Sequence, residues 1–291
     1  MAVLQPNREL IAPPPTQRLR YGLFNAATVL PMTDRMIGNG LQFYADHCGD
    51  HTELYNQECG VDSPVKTPHE GTELIGTDPF WVETRLRCGT VGRTADEIKA
   101  AAQARLVASE QRRVENVLWN GIAAQPDVLN LVNNVGTTTV VPTAPGAGAA
   151  ISALENAFYQ MTGYVGTIHV NTVAEGALEY AGFLNPDAGV LRTRKGTAVS
   201  LGDGYGINGP EDEAPAAGFV WAFMTSYTTV WRSTDAQIPQ PDPRRVMDRT
   251  LNQWDVVAER VYAAAWACPE VMAVQVPIAA PATAATPAVP A

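Results

Sequence analysis

Lysine is rare in this sequence: Lys66, Lys99 and Lys195 stand beside 17 arginines, and charged residues make up only 17% of the chain. In soluble domains, charged residues usually make up about a quarter of the sequence. The low charge favours a subunit that packs against copies of itself, because such a surface is largely uncharged. The net charge of −10 disfavours a nucleic-acid-binding protein, which needs Lys and Arg to neutralise phosphates.

Long apolar runs are also missing. No stretch of 18 uninterrupted apolar residues exists, so the sequence predicts no membrane-spanning helix. Residues 22–32 are too polar and too short for the hydrophobic part of a signal peptide. The four cysteines have no paired spacing, which fits a reducing compartment and does not suggest a disulfide framework. We therefore expect a protein made in the cytosol without contact with a membrane.

Motifs that carry catalysis are absent as well. The sequence contains no Gly-x-Ser-x-Gly elbow and no His-Glu-x-x-His unit. The glycine-rich stretch 202–209 lacks the Lys-Ser/Thr of a phosphate loop, and no strong helix follows it, so we interpret it as a flexible turn. His169 lies in a strand pattern and is interpreted as a buried or interface residue with satisfied hydrogen bonds. Because no nucleophile, base and orienting acid come together, we expect no enzyme and no cofactor.

One group of residues has the right chemistry for a metal. His47, Cys48 and His51 form a short unit, with Cys59 further along the chain. Zinc needs three or four nitrogen or sulfur ligands that converge tetrahedrally, and a Cys-x-x-His unit supplies two. The residues that would supply the second pair of zinc ligands lack a matching spacing, so we interpret all of these residues as ordinary loop residues. A metal-dependent enzyme that uses this cluster is kept as a remote alternative.

The first part of the chain has little periodicity. Residues 1–20 carry three consecutive prolines and read as an extended arm. Short strand-like runs at 41–44 and 80–87 flank a long acidic stretch that contains histidines. A loop of that length without its own core is uncommon inside a compact domain. The sequence therefore predicts a functional loop or a segment that packs on another subunit.

A long helix follows. Thr94 and Glu97 form a capping-box pattern, and Asn120-Gly121 is a suitable stop. About 25 residues make a rod of roughly 37 Å. Its apolar face is thin and interrupted by charged residues, so we expect the helix to lie across a surface and not to fill a core. The apolar positions are Ile98, Ala102, Leu106, Val114, Val117 and Leu118.

The remainder of the chain alternates between helix and strand patterns, which predicts an α+β fold. The predicted helices are 151–162 and 172–182, and the predicted strands are 167–170, 198–201, 218–231 and 256–266. Three prolines in 238–243 exclude regular structure there. The tail from residue 277 is rich in Pro and Ala and is expected to be disordered or loosely laid on a surface.

This order of segments resembles the HK97-type fold of tailed-phage major capsid proteins. The stretch 249–266 is similar to the closing strands of that fold, where an Asn, six residues and a Glu-Arg pair precede an apolar run. Residues 21–28 resemble capsid proteins of phages that infect actinobacteria. The resemblance implies an N-terminal arm at 1–40, an extended loop at 41–92, a peripheral domain at 93–144 with a spine helix at 94–120, an axial domain at 145–240, a return to the peripheral domain at 241–276 and a tail at 277–291.

The resemblance implies a shell-forming function. Such a protein assembles with itself into the hexamers and pentamers of an icosahedral shell, encloses double-stranded DNA without sequence-specific binding, and is a virion component assembled in the host cytoplasm. A portal and separate scaffolding or decoration proteins are the further partners. Since the arm and loop use the residues before the spine helix, we expect a mature chain that starts at Met1 or Ala2. An encapsulin-type nanocompartment shell, which has the same fold and encloses an enzyme, is the alternative.

The resemblance also implies a cross-link. Some members of this fold join subunits by an isopeptide bond between an extended-loop Lys and an Asn of the neighbouring peripheral domain, promoted by a Glu. Lys66 lies in the loop, and Asn252 and Glu259 have the same seven-residue separation as the reacting pair. The reaction needs a neutral amine in an apolar site. The alternative is a solvated Lys66, with Asn252 and Glu259 serving packing and hydrogen bonding.

Overall fold

A computed structural model describes residues 17–45, 48, 74–89, 94–234, 247–248, 250 and 253–278. The helices are α1 Leu23–Ala26, α2 Asp34–Asn39, α3 Ala95–Asn120, α4 Ala147–Thr162 and α5 Glu175–Tyr180. The strands are β1 Thr28–Pro31, β2 Leu41–Tyr44, β3 Leu74–Thr77, β4 Phe80–Gly89, β5 Thr137–Thr139, β6 Thr167–Asn171, β7 Asn185–Asp187, β8 Val190–Arg192, β9 Ala198–Gly202, β10 Phe219–Thr225, β11 Thr228–Arg232, β12 Met247–Asp248, β13 Gln253–Trp266 and β14 Val271–Pro277. The α+β class predicted from the sequence is confirmed.

The long helix α3 begins and ends where its local sequence predicts. The Thr94 hydroxyl accepts a hydrogen bond from the Glu97 amide at 3.3 Å, and the Glu97 carboxylate accepts one from the Thr94 amide at 2.7 Å. This reciprocal capping box satisfies two N–H groups that have no partner within the helix. At the other end Gly121 has a φ of 72°, a conformation that glycine adopts without strain. The long helix predicted at 94–120 is observed as α3.

The expectation that α3 lies across a surface is wrong. The helix is a main part of the core, and three polar residues, Glu110, Gln111 and Glu115, are buried with its apolar face. Each of these residues has a hydrogen-bond partner elsewhere in the chain, so the helix buries a wider face than its apolar stripe alone. The buried apolar residues of α3 are Ile98, Ala102, Leu106, Val114, Leu118 and Trp119.

A five-stranded sheet packs against α3. Its central strand is β13, which pairs antiparallel with β4 from Gln253 opposite Gly89 to Tyr262 opposite Phe80. On the other edge of β13 lie β12 and β11, and β1 continues the sheet in parallel with β11. The core between this sheet and α3 contains Leu23, Phe80, Leu106, Leu118, Trp119, Tyr262 and Trp266.

A seven-stranded sheet forms the second layer, with the order β5-β14-β10-β6-β9-β8-β7. Helix α4 covers one face through Ile151, Leu154 and Phe158, which pack in one cluster with strand residues such as Val170 and Val274. Strand β14 pairs with β10, so the segment expected to return to the peripheral domain contributes a strand to this sheet. The expected domain boundaries stay a prediction.

Two predicted elements are divided in the structure. The strand expected over 218–231 is β10 and β11, which belong to different sheets because the chain turns at Ser226 and Tyr227. The helix expected over 172–182 is a 3-10 turn, Thr172–Ala174, followed by α5. The Asn171 side chain accepts a hydrogen bond from the Val173 amide and starts that turn. Among the helices described, none has the length and apolar character to span a membrane.

Strands β2 and β3 form a separate antiparallel hairpin. Thr77 at its end connects it to the body of the molecule: its hydroxyl donates to the Ala264 carbonyl at 3.4 Å and accepts from the Leu129 amide at 3.3 Å. A two-stranded hairpin is marginally stable by itself in water. The hairpin therefore depends on what its base and its exposed face contact.

Candidate functional site

One of the three residues proposed for cross-linking lies in the described part of the chain. Glu259 is half-buried on β13, directly opposite Glu83 of β4. Lys66 and Asn252 lie outside the described residues. The cross-link stays a prediction.

The candidate metal cluster has one described member. Cys48 forms a disulfide with Cys268, in the turn between β13 and β14. His47, His51 and Cys59 lie outside the described residues. Sulfur atoms of these two cysteines and a carboxylate oxygen of Glu270 lie within 4.8 Å of one another. Zinc binds cysteine as the thiolate, so the oxidised pair offers it no thiolate ligand.

The expectation that the cysteines form no disulfide is therefore wrong. Cys48 and Cys268 are 220 positions apart, and they meet because the end of the hairpin lies against the turn after β13. A contact of that sequence separation leaves no local pattern, so the sequence could not indicate it. The disulfide fixes the base of the predicted extended loop to the turn that joins the two sheets.

The glycine-rich stretch 202–209 is not a flexible turn. A Cβ atom at Gly204 would lie 2.0 Å from the Arg112 carbonyl oxygen, and one at Gly206 would lie 2.7 Å from the indole of Trp119. Glycine is required at these positions because the loop backbone lies directly on α3. Trp119 donates its indole N–H to the Asn208 carbonyl at 3.1 Å. The loop thus joins β9 to the long helix by close backbone packing.

Glu115 of α3 joins three parts of the chain. Its two carboxylate oxygens accept hydrogen bonds from the amides of Leu23 and Gly204, each at 3.0 Å. These bonds link the start of α1 and the glycine-rich loop to the middle of α3. Burial raises the pKa of Glu115 to about 7, although both N–H donors and Gln111 favour the ionised form.

We expect this burial to make stability depend on pH. The folded state binds the Glu115 proton up to about pH 7, whereas an unfolded glutamate releases it near 4.5. The contribution of Glu115 to the free energy of unfolding therefore falls as the pH rises from about 4.5 to 7, by up to about 3 kcal/mol. The measurement is urea unfolding of the wild type and Glu115→Gln at several pH values.

The difference between the two curves isolates Glu115 from other titrating groups. As the pH rises from about 4.5 to 7, we expect the wild type to lose stability relative to Glu115→Gln. The matched control is Glu179→Gln at an exposed position of α5. A difference curve that is flat for Glu115→Gln, or equally steep for the control, contradicts the expectation.

His169 is fully buried on β6, as its position in a strand pattern predicts. Its Nδ1 lies 3.1 Å from the Tyr205 hydroxyl, and its Nε2 lies 3.1 Å from each of the Thr225 and Thr228 hydroxyls. Burial lowers the pKa of His169 to about 3, so the ring is neutral near pH 7. The ring therefore links β6 to the turn between β10 and β11, and its role in this structure is hydrogen bonding.

A buried ion cluster fastens β13 to α3. Arg260 Nη1 donates to both carboxylate oxygens of Glu110, at 2.8 and 2.7 Å, and Arg232 Nη1 lies 3.5 Å from one of them. Glu110 is fully buried and Arg260 nearly so. The Glu-Arg pair of β13 was recognisable in the sequence, but the partner of its arginine was not. Glu110 lies at the same four-residue spacing as Leu106, Val114 and Leu118, and this spacing was the sequence pattern that indicated its burial.

Large apolar side chains are exposed at the end of the hairpin opposite Thr77 and on β4. Tyr44 and Leu74 lie opposite each other on β2 and β3, with 64% and 50% of their surface exposed. Trp81 on β4 is 55% exposed. Solvent-exposed aromatic and aliphatic groups on a marginal hairpin indicate a surface that contacts another molecule.

Comparisons with known proteins agree with this architecture. No protein-family model and no curated protein matches the sequence. Among solved structures, the capsid of an empty GTA particle matches with a TM-score of 0.57 at 11% identity, over 94% of this chain and 95% of that one. The holo-SrpI encapsulin from Synechococcus elongatus PCC 7942 matches with a TM-score of 0.56 at 12% identity, over 95% and 96%.

A chain from Mycobacterium phage Ogopogo matches with a TM-score of 0.50 at 13% identity, over 94% of this chain and 99% of that one. These likenesses extend over nearly the full length on both sides, so no large part of the fold lies outside them. The chain therefore has the HK97-type fold that phage capsid and encapsulin subunits share.

Proposed function

We propose that this protein is the major capsid protein of a tailed phage. Copies of the chain assemble into the hexamers and pentamers of an icosahedral shell that encloses double-stranded DNA. The role is structural, and the protein is a component of the virion. The observation that carries the proposal is the full-length fold likeness to the capsid chains of empty and native GTA particles, at TM-scores of 0.57 and 0.58.

The exposed hairpin surface supports assembly. A two-stranded hairpin with Tyr44 and Leu74 in solvent gains stability when a neighbouring subunit covers it. A subunit in a closed shell has several neighbours and buries more than the roughly 1,600 Å² of a two-body interface. Identical interfaces repeated around five- and six-membered rings give the closed assembly.

The charge of the chain supports enclosure of DNA without binding to it. A net charge of −10 repels phosphates and leaves the genome free to move during packaging and release. A portal and separate scaffolding or decoration proteins are the partners that complete such a particle, which is assembled in the host cytoplasm.

Electron microscopy of the expressed chain tests the proposal. We expect closed icosahedral shells when the protein is produced alone or with its scaffolding partner. Soluble monomers or dimers that form no particles under both conditions contradict the assignment. Sedimentation velocity on the same preparations measures the fraction of the chain in particles.

We expect the hairpin variant Tyr44→Asp/Leu74→Asp to fold but to lose most of its particles, since two charges are placed on the surface that a neighbour covers. Circular dichroism reports folding, and sedimentation reports assembly. The matched control is Tyr44→Phe/Leu74→Met, which keeps an apolar surface at the same two positions. Equal assembly of the charged variant and the control shows that this surface is not an interface.

The second candidate is an encapsulin-type nanocompartment, which the likeness to the Synechococcus encapsulin favours. The shell has the same fold in both cases, and its content differs. Particles purified from the native source contain packaged DNA if the protein is a capsid and an enzyme if it is an encapsulin. Nuclease treatment after disruption, with mass spectrometry of the content, separates the two.

A covalent bond between subunits would reinforce the shell. We propose that Lys66 reacts with Asn252 of a neighbouring subunit, assisted by Glu259, with release of ammonia from the carboxamide as the isopeptide bond forms. Particles boiled in SDS then give a ladder of bands, and Lys66→Arg abolishes it. Lys195→Arg is the control, because that lysine lies far from the loop in sequence. A single monomer band from wild-type shells contradicts the cross-link.

A further inference from the structure

An apolar groove lies at one end of the seven-stranded sheet. Its volume is about 1010 Å³, and it is formed where the start of α4, the end of α5 and the ends of β10 and β14 meet. None of the described residues that line it is charged. Its lining is made largely of glycine and alanine, and it also includes Pro142, Tyr180, Phe219, Pro277 and Ile278.

Aromatic groups at the groove are exposed. Tyr180, at the end of α5, has 82% of its surface in solvent, and Phe219 is 36% exposed. Exposed aromatic rings beside small residues are the features that grooves for proline-rich chains share, because a ring can stack on a pyrrolidine while glycine and alanine leave room for its backbone. The volume is at the upper end of the range for small-ligand pockets, which is enough for a short extended segment.

The chain itself leads into this groove. The Ile278 amide donates a hydrogen bond to the Gly218 carbonyl at 2.9 Å, so the end of β14 is held at the groove wall. Residues 279–291 follow, and they consist of Ala, Pro, Thr and Val without one charged side chain. Pro281, Pro287 and Pro290 favour the extended polyproline II conformation, which loses little entropy on docking.

We propose that residues 279–291 dock in the apolar groove of their own chain. The sequence joins this segment to the rim, so its effective concentration at the site is in the millimolar range and a weak site is occupied. At about 3.1 Å per residue the segment reaches roughly 40 Å, more than enough to cross the groove. Docking covers Tyr180 and Phe219 with uncharged chain. The proposal concerns one chain and does not rest on shell assembly.

Site-specific photocrosslinking of the full-length protein tests this proposal. Benzoylphenylalanine replaces Tyr180, and we expect irradiation to join it to residues 279–291 of the same chain. The product migrates as a monomer in SDS, and mass spectrometry identifies the joined peptide. The matched control is the same substitution at Tyr159 of α4, which is 56% exposed and does not line the groove.

Three results overturn the proposal: crosslinks at position 180 that appear in a dimer band, crosslinks to other parts of the chain, or equal yields of the tail crosslink at positions 180 and 159. A dimer band assigns the groove to a second copy. These outcomes are independent of whether particles form, so failure here and failure of the shell assignment are distinguishable.

Hydrogen exchange gives a second measurement that does not depend on the crosslinker. A chain that stops after Ile278 is expected to exchange its amides faster in residues 143–149 and 176–181. A synthetic peptide of residues 279–291, added at millimolar concentration, restores the slow exchange. Tyr180→Asp in the full-length chain gives the same increase, and Tyr159→Asp does not. Unchanged exchange in the shortened chain contradicts docking.

Discussion

Replacing Arg260 with methionine is expected to lower the free energy of unfolding by about 3–5 kcal/mol. The substitution keeps an apolar side chain of comparable length and removes the guanidinium that both Glu110 oxygens contact at 2.8 and 2.7 Å. Glu110 is fully buried, so its carboxylate loses its main partner at a position that is closed to bulk solvent. Arg232, whose Nη1 lies 3.5 Å from one Glu110 oxygen, is partly exposed, so it offsets part of the loss without restoring the contact to both oxygens.

Urea unfolding of unassembled subunits, followed by tryptophan fluorescence, measures the effect. The matched control is Arg87→Met on the neighbouring strand β4. Arg87 contacts Asp255 at 3.1 Å, but its side chain is 61% exposed. An exposed pair of this kind contributes less than about 1 kcal/mol. Similar losses for Arg260→Met and Arg87→Met would show that burial of the Glu110 pair does not set its energy.

A double variant identifies the cause. If the loss comes from an uncompensated carboxylate, adding Glu110→Leu to Arg260→Met recovers a large part of the stability, since both charges are then absent. Additive losses in the double variant indicate that Arg260 acts by packing alone. In either case the measurement tests how the closing strand is fastened to the long helix.

The elements that the sequence predicted well are those with local signals. Both ends of α3 follow from residues within three positions of each end, Thr94 with Glu97 and Asn120 with Gly121. Strand β2 was predicted at its observed bounds, 41–44, from its short strand-like run. Short-range hydrogen bonds and backbone preferences determine such features.

The features that the sequence could not indicate depend on long-range contacts. Gly204 is required by the Arg112 carbonyl of a helix some ninety positions earlier, and its amide bonds to Glu115. A glycine-rich stretch in sequence looks the same whether it is mobile or packed. The break between β10 and β11 likewise follows from their pairing with two different sheets. The Glu110 position was accessible in principle, because it continues an apolar stripe.

Opening the Cys48–Cys268 disulfide is expected to lower the free energy of unfolding by at least as much as Arg260→Met does. The bond closes a loop of 220 positions, and the chain-entropy model gives about 5 kcal/mol for a loop of that length. Most of this stabilisation comes from limiting the unfolded chain, so the folded structure at ambient temperature changes little. The melting temperature of the subunit falls on the order of 10 °C.

Cys48→Ser and treatment of the wild type with a thiol reductant should produce the same loss. Cys59→Ser is the control for cysteine substitution, since Cys59 is not part of this bond. Peptide mapping without reductant is expected to recover the peptides of Cys48 and Cys268 joined. Free, alkylated Cys48 and Cys268 in an oxidised preparation would contradict the bond directly, before any stability is measured.

The position of the bond also predicts which part of the chain responds first. Cys48 follows the hairpin, whose other described attachments include the two hydrogen bonds of Thr77, so reduction should speed amide exchange in β2 and β3 more than in β13. Adding Cys268→Ser to Cys48→Ser should cost little further, because the first substitution already opens the loop. If exchange instead rises evenly over both sheets, the bond stabilises the whole subunit and does not specifically hold the hairpin.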